Sequence, residues 1–294
     1  MITERAYAKI NLCLDVTGKR PNGYHDVRMI MQTVDIYDIL SLEKTESGIT
    51  IDVGGSPLPA DGDNLIYKAA KKVMEKCGIQ GGVSISLEKH IPIAAGMAGG
   101  SSDAAATLRG VNRLYGCGLT NDELRDIGVT IGADVPYCIE GGTVLAEGIG
   151  EELTFLNPLP EHVLAVAKPQ AGVSTGNIYT ALDAIFDSIA HPDVDKMLSS
   201  MNTCSGKGFL KYLGNVLEYV TEPQCPDVEK IKDAFNKAGS QGTLMTGSGP
   251  TVYAFFEDEN TASAAVNTVR QLGFATENES FVTRLINPDH ACWV

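Results

Sequence analysis

A chain of 294 residues is long enough for one large or two ordinary domains, and its 44% hydrophobic content supports a sizeable core. Its 37 acidic residues outnumber 23 basic ones, giving a net charge of −14, which argues against nucleic acid or an anionic membrane surface as a partner. No apolar run approaches the ~18 residues of a membrane span, and the opening M-I-T-E-R-A-Y-A-K lacks the apolar centre of a signal peptide. The seven cysteines, at positions 13, 77, 117, 138, 204, 225 and 292, are scattered and form no C-x-x-C, so reduced thiols in a cytoplasmic protein without a zinc site are expected.

Ala6 to Val16 alternates as a strand, with Ile10, Leu12, Leu14 and Val16 on one face and Lys9, Asn11, Cys13 and Asp15 on the other. Such a strand could present Lys9 and Asn11 side by side to a ligand. Alternation alone favours a solvated edge strand. Pro21-Asn22-Gly23 is a turn signal. Tyr24 and His25 follow it, a pair that can stack on and hydrogen-bond a base or simply anchor a loop. Met29 to Leu42 reads as strand, polar turn at Tyr37-Asp38, then strand. Ile49 to Val53 and Val83 to Leu87 alternate as strands around a helix from Asp63 to Cys77. That helix has Asp63 as N-cap, a stripe of Leu65, Ile66, Ala69, Ala70, Val73 and Met74, and Gly78 as its stop.

Pro92 to Leu108, P-I-A-A-G-M-A-G-G-S-S-D-A-A-A-T-L, organises the chain. Gly96, Gly99 and Gly100 allow positive φ and close approach to a ligand. Ser101, Ser102 and Asp103 are good N-cap residues, and the helix they open runs to about Tyr115. The free N–H groups and dipole of such a helix start make an anion site, most often for phosphate. A tight turn of small residues is the alternative. The stretch is neither G-x-x-x-x-G-K-[ST] nor G-x-G-x-x-G, so the two common phosphate loops fit poorly.

Thr120 to Glu123 is a capping box opening a helix with Leu124, Ile127 and Ile131 inward. That helix leads into Gly132-Ala133-Asp134-Val135-Pro136-Tyr137. Pro136 biases Val135 to an extended conformation, which would fix Asp134 on a short non-helical segment. There it could take a proton from a hydroxyl or cap nearby backbone; residue type alone favours the cap. Gly141-Gly142, Gly148 to Gly150 and Asn157 to Pro160 break up the next stretch and mark a domain boundary near 150 to 160. Val163 to Ala167 reads as a buried strand. Ser174 or Thr175 caps a helix with Ile178, Ala181, Leu182, Ile185 and Phe186 inward. Residues 190 to 226 are polar and loosely helical. Pro226 to Ala238 is a helix with Val228, Ile231 and Phe235 inward. Leu244 to Phe256 is a glycine turn and strand, Ala262 to Leu272 a helix, and Phe281 to Ile286 a last strand.

Residues 92–108 resemble the second motif of the GHMP kinases, the superfamily of galactokinase, homoserine kinase, mevalonate kinase and phosphomevalonate kinase. Met97 and Ala98 stand where that pattern usually has Leu and Gly. A-K-I-N-L-x-L-x-V-x-G-K-R-x-x-G-Y-H, with Asn22 in place of the usual Asp, is similar to the branch whose acceptor carries a cytidine diphosphate. G-A-D-V-P matches the segment of the catalytic aspartate, and Leu244 to Pro250 the third motif.

The resemblance implies an α+β, two-domain fold: an ATP-binding, ribosomal-protein-S5-like domain over 1–155 and a ferredoxin-like sandwich over 156–294, with the substrates meeting in the cleft. It implies that Pro92, Ile93, Ala94, Ala95, Gly96, Met97, Ala98, Gly99, Gly100, Ser101 and Ser102 wrap the phosphates of ATP, with Asn64 near the adenine. Asn11, Tyr24, His25, Thr175, Tyr179, Gly247, Ser248 and Gly249 would meet the acceptor. The implied reaction moves the γ-phosphoryl group of ATP to a tertiary hydroxyl, with Asp134 as base, Lys9 assisting it and stabilising charge, and Mg²⁺ bridging the phosphates. Ser101 or Ser102 could ligate the metal, but no ligand is assigned. An acceptor without a base would not need Tyr24 and His25, which separates this branch from kinases of homoserine or mevalonate. The expected partners are small molecules, with the protein a monomer or homodimer.

Overall fold

The computed structural model describes residues 1–201 and 207–288; Cys204 and Cys292 lie outside them. Strand β1 (Ile2–Lys19) and strand β2 (His25–Thr45) form one long antiparallel hairpin, turned at the expected Pro21-Asn22-Gly23. Three register shifts interrupt their pairing, between Tyr7 and Lys9, Asn11 and Cys13, and Val16 and Gly18. An extra residue in one strand reverses which face the following side chains take. Ile10, Leu12 and Cys13 therefore share one core cluster, while Leu14 and Val16 belong to another. The single apolar face expected from alternation does not form. Nor is β1 an edge: both its faces are buried from Ala6 to Leu14.

β2 runs unbroken through Tyr37-Asp38, so the expected turn there is absent. Asp38 is buried instead, accepting the backbone N–H groups of His90 and Ile91 at 2.6 and 2.8 Å and an ion pair from Lys89. A carboxylate that reads as a turn residue thus anchors the chain leading into Pro92.

β3 (Ile49–Asp52) is followed by α1 (Leu65–Cys77), β4 (Gly82–Glu88), α2 (Gly99–Tyr115), α3 (Asn121–Val129) and α4 (Val135–Glu140). Asn64, not Asp63, caps α1, its Oδ1 accepting the N–H of Ile66 at 2.9 Å. The capping box of Thr120 and Glu123 opens α3 as expected. α4 was not legible in the sequence: Val135 is helical, with Pro136 tolerated in the first turn because no intrahelical N–H bond is due there.

β5 (Thr143–Glu147) and β6 (Glu152–Phe155) form a hairpin around Gly148 to Gly150, where the glycines suggested only a break. β7 (Val163–Ala167) enters a second sheet. It is followed by α5 (Thr175–Asp183), α6 (Val194–Met201), the two-residue β8 (Gly214–Asn215), α7 (Glu218–Gln224), α8 (Asp227–Lys237), β9 (Gly242–Met245), β10 (Val252–Phe256), α9 (Glu259–Gln271) and β11 (Ser280–Arg284).

The first sheet has the order β3-β4-β2-β1-β8, with the β5–β6 hairpin joined to β2. The second is antiparallel in the order β11-β7-β10-β9, with α8 and α9 packed on it, a ferredoxin-like arrangement. Its other face meets the first sheet: Leu164, Val166, Tyr253 and Phe255 join Ile10 and Leu12 in one core cluster. Burial of this kind is the main favourable term in folding. Two links cross from the second half of the chain to the first sheet. β8 pairs with β1, and Leu285 and Ile286 bond beside Val34 and Thr33.

Cys13, Cys77, Cys117, Cys138 and Cys225 are free thiols, and burial pushes those of Cys13 and Cys138 up to about 12. No described helix is long and apolar enough to cross a membrane.

Candidate active site

The residues from Pro92 to Ser101 wrap one wall of a cavity of about 810 Å³. Three residues there have positive φ: Ala94 at 52°, Gly96 at 70° and Ala98 at 60°. Gly99 and Gly100, expected to supply that conformation, lie in the first turn of α2, and Ala98 is its N-cap. The helix starts three residues earlier than the serines suggested. No acceptor among the described residues takes the N–H groups of Gly99, Gly100 or Ser101. These groups, at the positive end of a helix of 17 residues, can hold an anion.

A non-glycine residue in the left-handed region costs about 1–2 kcal/mol, part of which glycine returns as unfolded-state entropy. Ala98→Gly is therefore expected to raise stability by about 0.5–1 kcal/mol and the thermal midpoint by about 1–4 °C. A differential melting curve showing no rise would mean that Ala98 carries no strain.

Lys9 comes from β1 and Asp134 from the N-cap of α4. Lys9 is 4% exposed, and its Nζ lies 4.0 Å from Asp134 Oδ2. Asp134 makes no capping bond with its side chain, so the capping role that residue type favoured is not the one observed. Its carboxylate is left for the cavity, beside a buried ammonium. Lys9 also donates to Asn11 Oδ1 at 2.6 Å, and its backbone N–H bonds the Met97 carbonyl at 3.1 Å. One residue thereby fixes the lysine head and ties β1 to the loop.

Asn11 does not line the cavity. It is fully buried, and its Oδ1 accepts from Lys9 and from the N–H of Gly247 at 3.0 Å. It thereby bridges the lysine and the glycine turn of 246–249.

That turn packs backbone to backbone against the loop of residues 92–98. A Cβ on Gly96 would fall on the Thr246 carbonyl oxygen, and one on Gly247 would come within 2.8 Å of the Gly96 oxygen. Asn215 holds the turn from below, donating to the carbonyls of Met245 and Gly247 at 2.8 Å each. Gly247 and Ser248 reach the cavity, and Ser248 Oγ bonds Thr175 Oγ1 at 2.8 Å. Gly249 does not reach it; its position lies against Met245 and Thr221.

Three further residues expected at ATP have side chains engaged within the fold. Asn64 is engaged in capping α1 and in a 2.6 Å bond to the Pro59 carbonyl, while its neighbour Leu65 lines the cavity. The Met97 side chain is buried in the core between the sheets. Ser102 is buried and donates to the Tyr7 carbonyl at 2.6 Å, which leaves the half-buried Ser101 as the cavity-lining serine of the pair.

The same cavity is lined by Tyr24, His25, Thr175 and Tyr179. Tyr24 is 58% exposed, with its ring surface open to a planar ligand. The ring centroids of His25 and Tyr179 are 5.1 Å apart, and His25 Nε2 lies 2.7 Å from Asp183 Oδ1. Hydrogen bonds from Lys19 and His25 hold the Asp183 carboxyl below the usual aspartate range.

Sequence reasoning missed the apolar floor of Leu14, Val27 and Met29, and the cations Lys19 and Lys89. Leu14 faces the same cavity as Lys9, across a shift in strand parity that no alternation pattern reveals. Lys89 sits between two buried carboxylates, Asp38 and Asp103, with Asp103 Oδ2 at 3.3 Å. Burial, then the Asp38 charge, pushes the Asp103 carboxyl well above its ordinary value.

The family models for the GHMP kinases N terminal domain and the GHMP kinases C terminal match residues 64–142 and 186–274. A protein of Exiguobacterium sibiricum named 4-diphosphocytidyl-2-C-methyl-D-erythritol kinase is 48% identical over 290 residues, covering 98% of this chain and 99% of that one. The chain belongs to the 4-diphosphocytidyl-2-C-methyl-D-erythritol kinase family. A member of that family from Clostridium beijerinckii is 43% identical, over 96% of this chain and 99% of its own. A crystal structure of 4-(cytidine 5'-diphospho)-2C-methyl-D-erythritol kinase superposes with a TM-score of 0.81 at 30% identity, covering 97% of this chain and 99% of that one. The Methanococcus jannaschii mevalonate kinase, at 16% identity and a TM-score of 0.73, covers 97% of this chain and 98% of its own and shares the fold. As a GHMP kinase, a member of the family uses ATP.

Proposed function

We propose that this protein transfers the γ-phosphoryl group of ATP to the 2-hydroxyl of 4-diphosphocytidyl-2-C-methyl-D-erythritol, a step of the non-mevalonate route to isoprenoid precursors. The observation that carries the reading is the pairing of Lys9 with Asp134 at 4.0 Å, on the wall of the cavity that also holds the α2 N-terminus and the His25–Tyr179 pair.

Phosphoryl transfer needs in-line positioning and neutralised charge more than covalent help. The backbone from Ala94 to Ser101 holds the β- and γ-phosphates. Tyr24, His25 and Tyr179 hold the cytosine, with Thr175 and Ser248 beside the acceptor. The acceptor oxygen bonds to the γ-phosphorus as the bridge to the β-phosphate breaks and ADP leaves; the hydroxyl proton passes to an Asp134 Oδ. A carboxylate is a weak general base. A loose transition state calls for proton removal only late, so a weak base suffices. Lys9 orients the carboxylate and offsets charge on the transferring group.

Among the described residues, no three His, Cys, Asp or Glu side chains converge as a metal site. Mg²⁺ keeps several waters and binds one or two protein oxygens together with substrate phosphates. Ser101, in the first turn of α2, is the hydroxyl on the cavity wall that would hold it. When bound it neutralises phosphate charge. We assign the enzyme to the cytoplasm, a reading supported by its free thiols.

The test is ADP release with Mg·ATP and three acceptors in parallel: the diphosphocytidyl compound, mevalonate and homoserine. Turnover with the first alone is expected. Turnover with either of the others would overturn the acceptor while leaving the kinase in place.

A further inference from the structure

Both ends of the first hairpin and the end of α5 meet at one carboxylate. Lys19 and His25 are cross-strand partners beside the hairpin turn. Asp183, the last residue of α5, receives Lys19 Nζ on Oδ2 at 2.5 Å and His25 Nε2 on Oδ1 at 2.7 Å. Tyr179 lies four residues earlier, on the same helix face, and its ring packs against His25. The His25 side chain is only 9% exposed, so helix and hairpin fix its ring. No described residue bonds its Nδ1.

An ionised carboxylate only accepts hydrogen bonds. Nε2 of His25 must then carry the proton, and in the neutral ring Nδ1 is left as a lone pair. We propose that Asp183 is a specificity-determining positioning residue: by holding His25 in its Nε2–H form, it makes Nδ1 an acceptor that selects an aminopyrimidine over an oxopyrimidine. Cytosine offers a donor at its 4-amino group, whereas uracil presents a carbonyl oxygen there. The inference rests on the reading that the acceptor's base occupies the Tyr24–His25–Tyr179 part of the cavity.

Asp183→Asn tests it. The amide is of similar size but can donate to Nε2, which frees the ring to carry its proton on Nδ1. Long-range ¹H–¹⁵N spectra of the ligand-free protein, assigned among five histidines, should show the His25 pattern move from Nε2–H towards Nδ1–H. KM for the cytidine acceptor should rise about tenfold, the worth of one hydrogen bond to a charged or buried group. The preference over the matching uridine acceptor should fall by about tenfold or more. KM for ATP is the internal control. Asp183→Glu, still acceptor-only, should restore the tautomer and much of the preference.

An unchanged His25 tautomer, or an unchanged cytidine preference in Asp183→Asn, would overturn the proposal. If the wild-type enzyme turned over neither pyrimidine acceptor, the proposed reaction would fail. The tautomer measurement, made without ligand, would still decide whether Asp183 controls His25.

Discussion

Asp134→Asn is expected to lower kcat by a factor of ~10² or more, with the fold intact. The two halves of this expectation come from one geometry. Asp134 occupies the N-cap of α4 without a side-chain capping bond, so its removal takes no hydrogen bond from the helix. Its neighbour in the cavity is the Lys9 ammonium at 4.0 Å, outside hydrogen-bonding range but within reach of charge. Lys9→Ala should cause a loss of the same order, ~10² in kcat. The double variant should lose far less than the product of the two, because groups that act as a unit are not additive. Steady-state ADP release beside thermal melting separates the outcomes. Turnover within a few-fold of the parent enzyme would remove Asp134 from the proposed role; a collapsed melting curve would instead point to a structural part for it.

Gly96→Ala should act on both stability and ATP affinity. The residue sits at φ 70°, where an L side chain costs about 1–2 kcal/mol. The added Cβ would also press on the Thr246 carbonyl, and Gly249 backbone atoms lie at 3.2 Å, so no flexible side chain can yield. Overpacking of this kind costs typically ~1–3 kcal/mol. A loss of about 2–5 kcal/mol in unfolding free energy is expected, read by denaturant titration. The loop would be forced off the glycine turn, so KM for ATP should rise by about tenfold or more. Four residues on, Gly100→Ala meets only Leu65 Cδ1, at 3.5 Å, inside a helix. It should raise stability by up to about 1 kcal/mol. Equal effects at the two positions would show that the loop and turn are not in the contact described.

These glycines also show how far the sequence could be read. Local chemistry was legible wherever one residue type has one mechanical use: the Pro21-Asn22-Gly23 turn, the Thr120 capping box, Gly78 as a stop. Three strands of the second sheet, β7, β10 and β11, and the helices α8 and α9 were legible from their apolar runs and stops, whereas β9 was read only as part of a glycine turn and α6, β8 and α7 only as a loosely helical stretch. What was hidden depends on partners far away in sequence. Leu14 joins Lys9 at the cavity only because an extra residue in β1 changes strand parity between Asn11 and Cys13. Asp38 looked like a turn residue because its partners, the His90 and Ile91 N–H groups, lie 52 and 53 positions away. Asn11, Asn64 and Ser102 were expected at ligands, yet their polar groups satisfy buried partners that the fold brings to them. An Asn or Ser near a motif has the same chemistry in both roles, and only the tertiary structure says which acceptor is nearer. Lys19 and Asp183 carried no local signal at all, since charged residues in loops and helix ends normally face water.

The two-residue strand β8 has a consequence for how this protein can be divided. It gives β1 a partner from the far half of the chain, while Leu285 and Ile286 return to Val34 and Thr33 on the same sheet. A fragment ending at 155 would leave the outer edge of β1 open and strip cover from Ile10, Leu12 and Cys13, the ingredients of edge-to-edge association. The two halves are accordingly obligate folding companions rather than interchangeable modules. Exchanging a whole C-terminal half between relatives would have to preserve β8, its Asn215 clamp and the returning tail together.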